Sequence, residues 1–166
     1  WHEASDAAAL QQLHTVQLGL GAASLSKFCA QELGCENTAV ELNPQDIAIC
    51  RSWFALAPDT PRSRVLCSDA QDWAQAPHNA NTVDALMVDL YDHEAAGPVL
   101  DSAAFYRACR HTLKDGGLMT VNLFGRTQNF AQSLATLQQV FGREQVWRFM
   151  PTREGNAVVL AGKGAA

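Results

Sequence analysis

The chain of 166 residues and 18.0 kDa is the size of one domain and leaves no room for two full ones. With 48% apolar and 17% charged residues it can bury a core, which excludes wholesale disorder. The net charge is −5, and residues 65–106 hold seven acids (Asp69, Asp72, Asp84, Asp89, Asp92, Glu94, Asp101) with no Lys or Arg, against twelve basic and ten acidic residues elsewhere. That distribution argues against a nucleic-acid binder or an anionic-membrane binder, and a field of this sign attracts cations.

In chain order, a strand is predicted at 15–20, followed by a helix from about 22 to a C-cap at Gly34. A second strand at 38–42 precedes a helix that starts with Asn43 as N-cap and Pro44 at its first position. A third strand at 64–67 leads into a short helix after Ser68-Asp69. The fourth, at 85–90, is followed by a helix that begins at Asp101-Ser102 and stops before the turn Asp115-Gly116-Gly117. A fifth strand at 118–124 precedes a helix from about 127 to Phe141, closed by Gly142. Strands at 145–150 and 157–161 are separated only by 151–156, too short for a crossover helix, so they form an antiparallel hairpin. The alternation predicts an α/β fold: a Rossmann-like, mostly parallel seven-stranded sheet with one strand reversed, helices on both faces, and one domain over 1–166.

Other features carry bland readings. No apolar run reaches the ~18–20 residues that span a bilayer, and no basic-then-apolar opening marks a secretory signal. Five cysteines (Cys29, Cys35, Cys50, Cys67, Cys109), odd in number and without C-x-x-C spacing, fit reduced core thiols of a cytoplasmic protein. The five histidines are scattered, so no zinc or di-metal site is expected. Phe130, Leu134, Leu137 and Phe141 form a core stripe at helical spacing, and Trp53, Trp73 and Trp147 are read as packing residues.

In an open α/β sheet, ligands bind beyond the carboxyl ends of the strands. After the first strand, Gly19 and Gly21 allow a tight turn and close backbone approach to a ligand. Glu41, 22 positions after Gly19, presents two oxygens suited to both ribose hydroxyls of an adenosine. Asp69 suits an adenine amino group and the Ala70 N–H a ring nitrogen, while Ser68 or Asp69 also suits an N-cap. The fourth strand ends Val88-Asp89-Leu90-Tyr91-Asp92, whose two carboxylates repel each other unless a cation lies between them. These features alone do not separate a nicotinamide cofactor from S-adenosylmethionine.

Taken together, Val40-Glu41-Leu42-Asn43-Pro44, Ser68-Asp69-Ala70 and above all Val88-Asp89-Leu90-Tyr91-Asp92 resemble the spermidine synthase (aminopropyltransferase) family. Gly97-Pro98, Phe105-Tyr106 and Leu113-Lys114-Asp115-Gly116-Gly117 continue the similarity, and the order of elements is that of the class I S-adenosylmethionine-dependent methyltransferase fold. The resemblance implies a transferase of polyamine biosynthesis, with Asp89 as the general base for an attacking amine. It places Asp92, with Tyr91, on a small cationic amine. Gly19, Gly21, Glu41, Leu42, Asp69 and Ala70 fall on decarboxylated S-adenosylmethionine or S-adenosylmethionine, with no metal. Two features depart from the pattern. The family's glycine loop carries an acid where this one has Ala22 and Ala23, and its N-terminal β-domain is not expected in this stretch, since only Trp1-His2-Glu3 precedes the first helix-like segment. A methyltransferase and a non-catalytic nucleoside-binding module therefore stand as alternatives, a nicotinamide dehydrogenase less so. A homodimer is compatible with all of them.

Overall fold

In the computed structural model, residues 8–91, 100–124, 128–153 and 155–164 are described. Seven strands, β1 (His14–Leu18), β2 (Glu36–Glu41), β3 (Ser63–Cys67), β4 (Val83–Val88), β5 (Leu113–Phe124), β6 (Val146–Arg148) and β7 (Asn156–Gly162), form one sheet in the order β3-β2-β1-β4-β5-β7-β6. The first five are mutually parallel where they pair, and β7 runs antiparallel to both β5 and β6. The mostly parallel sheet with one reversed strand is therefore as the alternation predicts. The switch in strand order falls between β1 and β4, where a mouth opens at the carboxyl edge.

Helix α1 runs over Ser24–Lys27 and continues as a wider π-helical turn through Glu32, with Leu33 N–H donating to the Phe28 carbonyl. Gly34 then adopts φ +63, as a C-cap requires. Helix α2 (Pro44–Trp53) starts as expected, the Asn43 side chain accepting from Gln45 N–H at 3.0 Å. Helix α3 (Ala70–Gln75) is capped by Asp69, α4 (Ala103–Thr112) by Ser102, and α5 spans Gln128–Phe141. Alternation along the strands divides the packing. Val40, Val16, Leu18, Leu86, Val88, Met119 and Val121 meet Ala70, Trp73, Phe105, Cys109 and Leu137 on one face. Ala39 meets Cys50, Leu56 and Ala23 on the other. The stripe on α5 is core, with Leu137 and Phe141 buried and Phe130 and Leu134 packed against them.

Two expectations need correction. β5 begins at Leu113, directly after α4, and Asp115-Gly116-Gly117 is a bulge inside it: the register with β4 passes from Val83↔Leu113 to Ala85↔Leu118. Gly116 N–H and the Gly117 carbonyl pair with Lys163 at 2.8 and 2.9 Å, so these turn-forming residues stay in the ladder. Of the three tryptophans only Trp73 is buried; Trp147 is half exposed, and Trp53 is 82% exposed because α2 turns little but Cys50 inward. Asp84 is a strand residue of β4, held 2.7 Å from Lys114 Nζ. The five cysteines form no disulfide with one another; Cys67 is exposed and the others buried. Among the described residues no helix is long and apolar enough to cross a membrane.

Candidate functional site

The loop after β1 is shaped by its glycines. Gly19 has φ +90 and its N–H donates to the Val40 carbonyl at 2.9 Å, while the Asp89 N–H donates to the Leu18 carbonyl at 2.9 Å. These bonds carry the β1–β2 and β1–β4 pairings one step beyond the strands and draw three strand ends together. Gly21 follows at φ +52 with nothing within 4 Å of where a Cβ would lie. Ala23 adopts φ +59 at the helix N-cap, a conformation costly for a residue with a Cβ. The thiol of Cys50 donates to the Gly21 carbonyl at 3.1 Å and fixes the loop from beneath. Burial pushes that thiol's pKa up, and the Asp46 and Glu41 carboxylates push it further.

Glu41 joins the loop to the second strand. Its Oε2 accepts from Leu20 N–H at 3.0 Å and its Oε1 from Asn43 N–H at 2.9 Å. Each oxygen thus keeps one lone pair for a ligand. Asp69 caps α3 through Oδ1, which accepts from Gln71 and Asp72 N–H at 2.7 and 3.0 Å. Asp69 rather than Ser68 is therefore the cap, and the capping occupies one oxygen only.

These elements enclose a cavity of about 670 Å³, within the range of small-molecule sites. Gly19, Gly21, Glu41, Leu42, Asp69, Ala70, Asp89 and Tyr91 all line it. Every expected site residue among those described is thus brought to one mouth; Asp92 lies outside the described residues. The described lining contains four carboxylates (Glu41, Asp46, Asp69, Asp89) and no Lys or Arg, which concentrates the acidity of the central stretch at this cavity. Leu42, Leu90, Leu100 and Val40 supply apolar wall, so the cavity is suited to a flat heterocycle beside a cationic group.

Asp46 and Asn156 were not singled out from sequence, whereas the run 122–126 at the exit of the fifth strand reads either as lining for an amine pocket or as a plain strand exit. Asp46 lines the cavity from the first turn of α2, three residues after the Asn43 cap. Asn122 on β5 donates through Nδ2 to Asp89 Oδ1 at 3.0 Å, and Asn156 on β7 donates to Asn122 Oδ1 at 3.2 Å. Tyr91 donates to the Asn122 carbonyl at 2.9 Å. Position 122 at a strand exit is a weak signal, and its link to 156 depends on strand pairing. Behind the mouth, Asp101 accepts from Tyr106 at 2.6 Å and from Ser133 at 2.5 Å, tying the start of α4 to α5. Among the described residues no group of three or more His, Cys, Asp or Glu is placed to hold a metal ion.

No family model matches the chain. It is 29% identical over 150 residues to a polyamine aminopropyltransferase of Neisseria meningitidis serogroup A / serotype 4A, a match that covers 89% of this chain. The polyamine aminopropyltransferase of Chromobacterium violaceum is 26% identical over 149 residues. The chain spans 56% of the length of each of these relatives. A probable spermidine synthase from Corynebacterium glutamicum superposes with a TM-score of 0.77 and 24% identity, over 92% of this chain and 57% of that one. Human methyltransferase-like protein 13, solved in complex with SAH, superposes with a TM-score of 0.81 and 21% identity, over 97% of this chain and 76% of that one. The structural likenesses establish a Rossmann-like methyltransferase fold. The curated ones bear out the similarity to aminopropyltransferases that the motifs suggest.

Proposed function

We propose that the chain carries the catalytic domain of an aminopropyltransferase-like enzyme that uses decarboxylated S-adenosylmethionine and a small cationic amine. The observation that carries this reading is the carboxylate-lined cavity, with Asp89 at the end of β4 and no described Lys or Arg around it. Two cationic reactants repel each other, and clustered carboxylates offset that repulsion. The curated relatives, named as transferases of this kind, support the same reading.

In the proposed reaction the amine, arriving protonated, passes one proton to Asp89. Its nitrogen lone pair then attacks the carbon beside the sulfonium. The carbon–sulfur bond breaks, its electron pair stays on sulfur, and neutral methylthioadenosine leaves. The secondary amine formed is a cation that holds one proton more than its neutral form. Glu41 accepts from the ribose hydroxyls, while Asp69 and the Ala70 N–H read the adenine. Gly19 and Gly21 keep the loop backbone clear of the sulfonium end, with Leu42 against the nucleoside. Tyr91 and Asp92 hold the far end of the amine. Alignment of nitrogen, carbon and sulfur is worth several kcal/mol, and the base about 10²–10⁴ in rate. A cytoplasmic location, with its free thiols, belongs to the same proposal.

The test is Asp89→Asn. Transfer should fall about 10²–10⁴-fold while calorimetry finds methylthioadenosine bound nearly as before. Full transfer by the variant would remove Asp89 from its role.

One observation favours a second reading. Ala22 and Ala23 stand in the glycine loop, and no acid lies between Gly19 and Glu32 to turn away the carboxylate of intact S-adenosylmethionine. A methyltransferase follows if the intact cofactor binds more tightly than the decarboxylated one, a comparison that calorimetry makes directly.

A further inference from the structure

The reversed strand has a consequence at the mouth. Because β7 is antiparallel to β5, its first residue, Asn156, pairs with Phe124 at the carboxyl edge, where Asp89 leaves β4. A parallel seventh strand would bring its last residue there instead. Asn122 pairs with Val158, so Asn122 and Asn156 are diagonal neighbours on one face of the ladder. Asn156 is itself held: its carbonyl accepts from Thr152 N–H at 2.7 Å, across a turn closed by Gly155 at φ +104.

A primary amide has one donor end and one acceptor end. Asn156 Nδ2 occupies the acceptor end of Asn122, so the donor end faces Asp89 Oδ1. If the Asn122 amide turned over, its oxygen would confront a carboxylate oxygen and its NH2 would confront another NH2. Both contacts are repulsive. Meanwhile Tyr91 holds the Asn122 backbone through the carbonyl, which leaves the side chain only its own torsions to settle. Among the described residues Asp89 Oδ2 has no hydrogen-bond partner.

We propose that Asn122 is a positioning residue for Asp89 and that Asn156 sets the direction of its amide, so that Oδ1 is held by the protein and Oδ2 is presented to the ligand. The proposal rests on the reading of Asp89 as the base and deepens it. It assigns the terminal hairpin a part in the site, since the turn before β7 places Asn156.

The test combines kinetics with a measurement that needs no turnover. Asn122→Ala should lower kcat on the order of ten- to hundredfold, as misplacement of a reacting group does, with KM for the amine and methylthioadenosine affinity little changed. Asn156→Asp should lower kcat more than Asn156→Ala, because a carboxylate at 156 draws the Asn122 NH2 away from Asp89. In an Asn122→Ala background, Asn156→Asp should add little. An equal further loss there would show that the new charge acts without the amide, and would overturn the proposal. In nitrogen–proton correlation spectra, the Asn122 side-chain NH2 signals should move in Asp89→Ala and in Asn156→Asp. Unmoved signals in both variants would also overturn it. If no amine is turned over by the unsubstituted protein but those signals move, the aminopropyl-transfer reading fails while the positioning of Asp89 stands.

Discussion

A Cβ placed on Gly19 would lie 2.2 Å from the carbonyl oxygen of Asp89. The glycine loop and the strand that carries the candidate base are therefore in direct backbone contact, and no side chain fits between them. Gly19→Ala must move one of the two segments and also place a Cβ at φ +90. The left-handed conformation alone costs roughly 1–2 kcal/mol, and the clash adds to it. Denaturant unfolding should show a loss above about 2 kcal/mol, and ligand affinity should fall with it. Gly21→Ala is the contrast. At φ +52 with open space around it, it should cost about 1 kcal/mol of stability and lower affinity chiefly by narrowing the cavity. Equal unfolding midpoints for the two variants would contradict this account of the loop.

Glu41 holds two backbone N–H groups, one from the loop after β1 and one from the start of α2. In Glu41→Gln one oxygen becomes an NH2 that faces a backbone donor, so the amide can satisfy only one of them. A hydrogen bond to a charged group is worth about 1.5–3 kcal/mol, so methylthioadenosine affinity should fall roughly ten- to hundredfold by calorimetry. Asp46→Asn, at the same cavity but without such bonds, should change it far less. Affinity unaltered in Glu41→Gln would detach this residue from the nucleoside.

Much of this arrangement is legible in the residues themselves. The unbroken run Ala85-Leu86-Met87-Val88 ends on Asp89 because a strand buried on one face and partly covered on the other needs no apolar–polar alternation, and it announces where the polar mouth begins. Asn43-Pro44 marks its helix start through a local hydrogen bond, which a sequence encodes fully. What escaped depends on partners distant in the chain. Asp115-Gly116-Gly117 has the composition of a turn, and it lies in a strand only because Lys163 supplies both halves of its pairing. The contact of Asn122 with Asn156 arises from the insertion of β7 between β5 and β6, which no local pattern specifies. Trp53 has the size of a core residue, yet its place at the end of a weakly amphipathic helix leaves it in water.

The tryptophans of the consecutive helices α2 and α3 make that difference measurable. Trp73 belongs to the main core, on the helix that packs against β2 and α4, at 7% exposure, whereas Trp53 is 82% exposed. Trp73→Ala should cost about 3–5 kcal/mol, enough to threaten folding of a domain this size. Trp53→Ser should stay within about 0.5 kcal/mol. Denaturation midpoints decide it, and a large loss for Trp53→Ser would mean that its ring packs after all.

Stability should also fall at alkaline pH, for a reason located behind the site. Burial, foremost, pushes the Tyr106 hydroxyl far above its ordinary value of 10.0, and its hydrogen bond to Asp101 adds to the shift. Burial likewise pushes the Cys109 thiol far above 9.0, and Cys29 and Cys50 move in the same direction. Each group is an acid whose native pKa is raised, so the native state favours the protonated form. The contribution is complete below the unfolded values. Above them the unfolded chain sheds protons that the native chain keeps, and the free energy of unfolding drops by about 1.4 kcal/mol per pH unit for each such group. Urea midpoints measured from about pH 8 to about pH 11 should therefore decline with increasing slope, as thiols and then the phenol enter. Tyr106→Phe should start from lower stability, since Asp101 loses a 2.6 Å bond, and should decline less steeply above about pH 10. A parallel decline in the variant and the unsubstituted protein would place the alkaline sensitivity elsewhere.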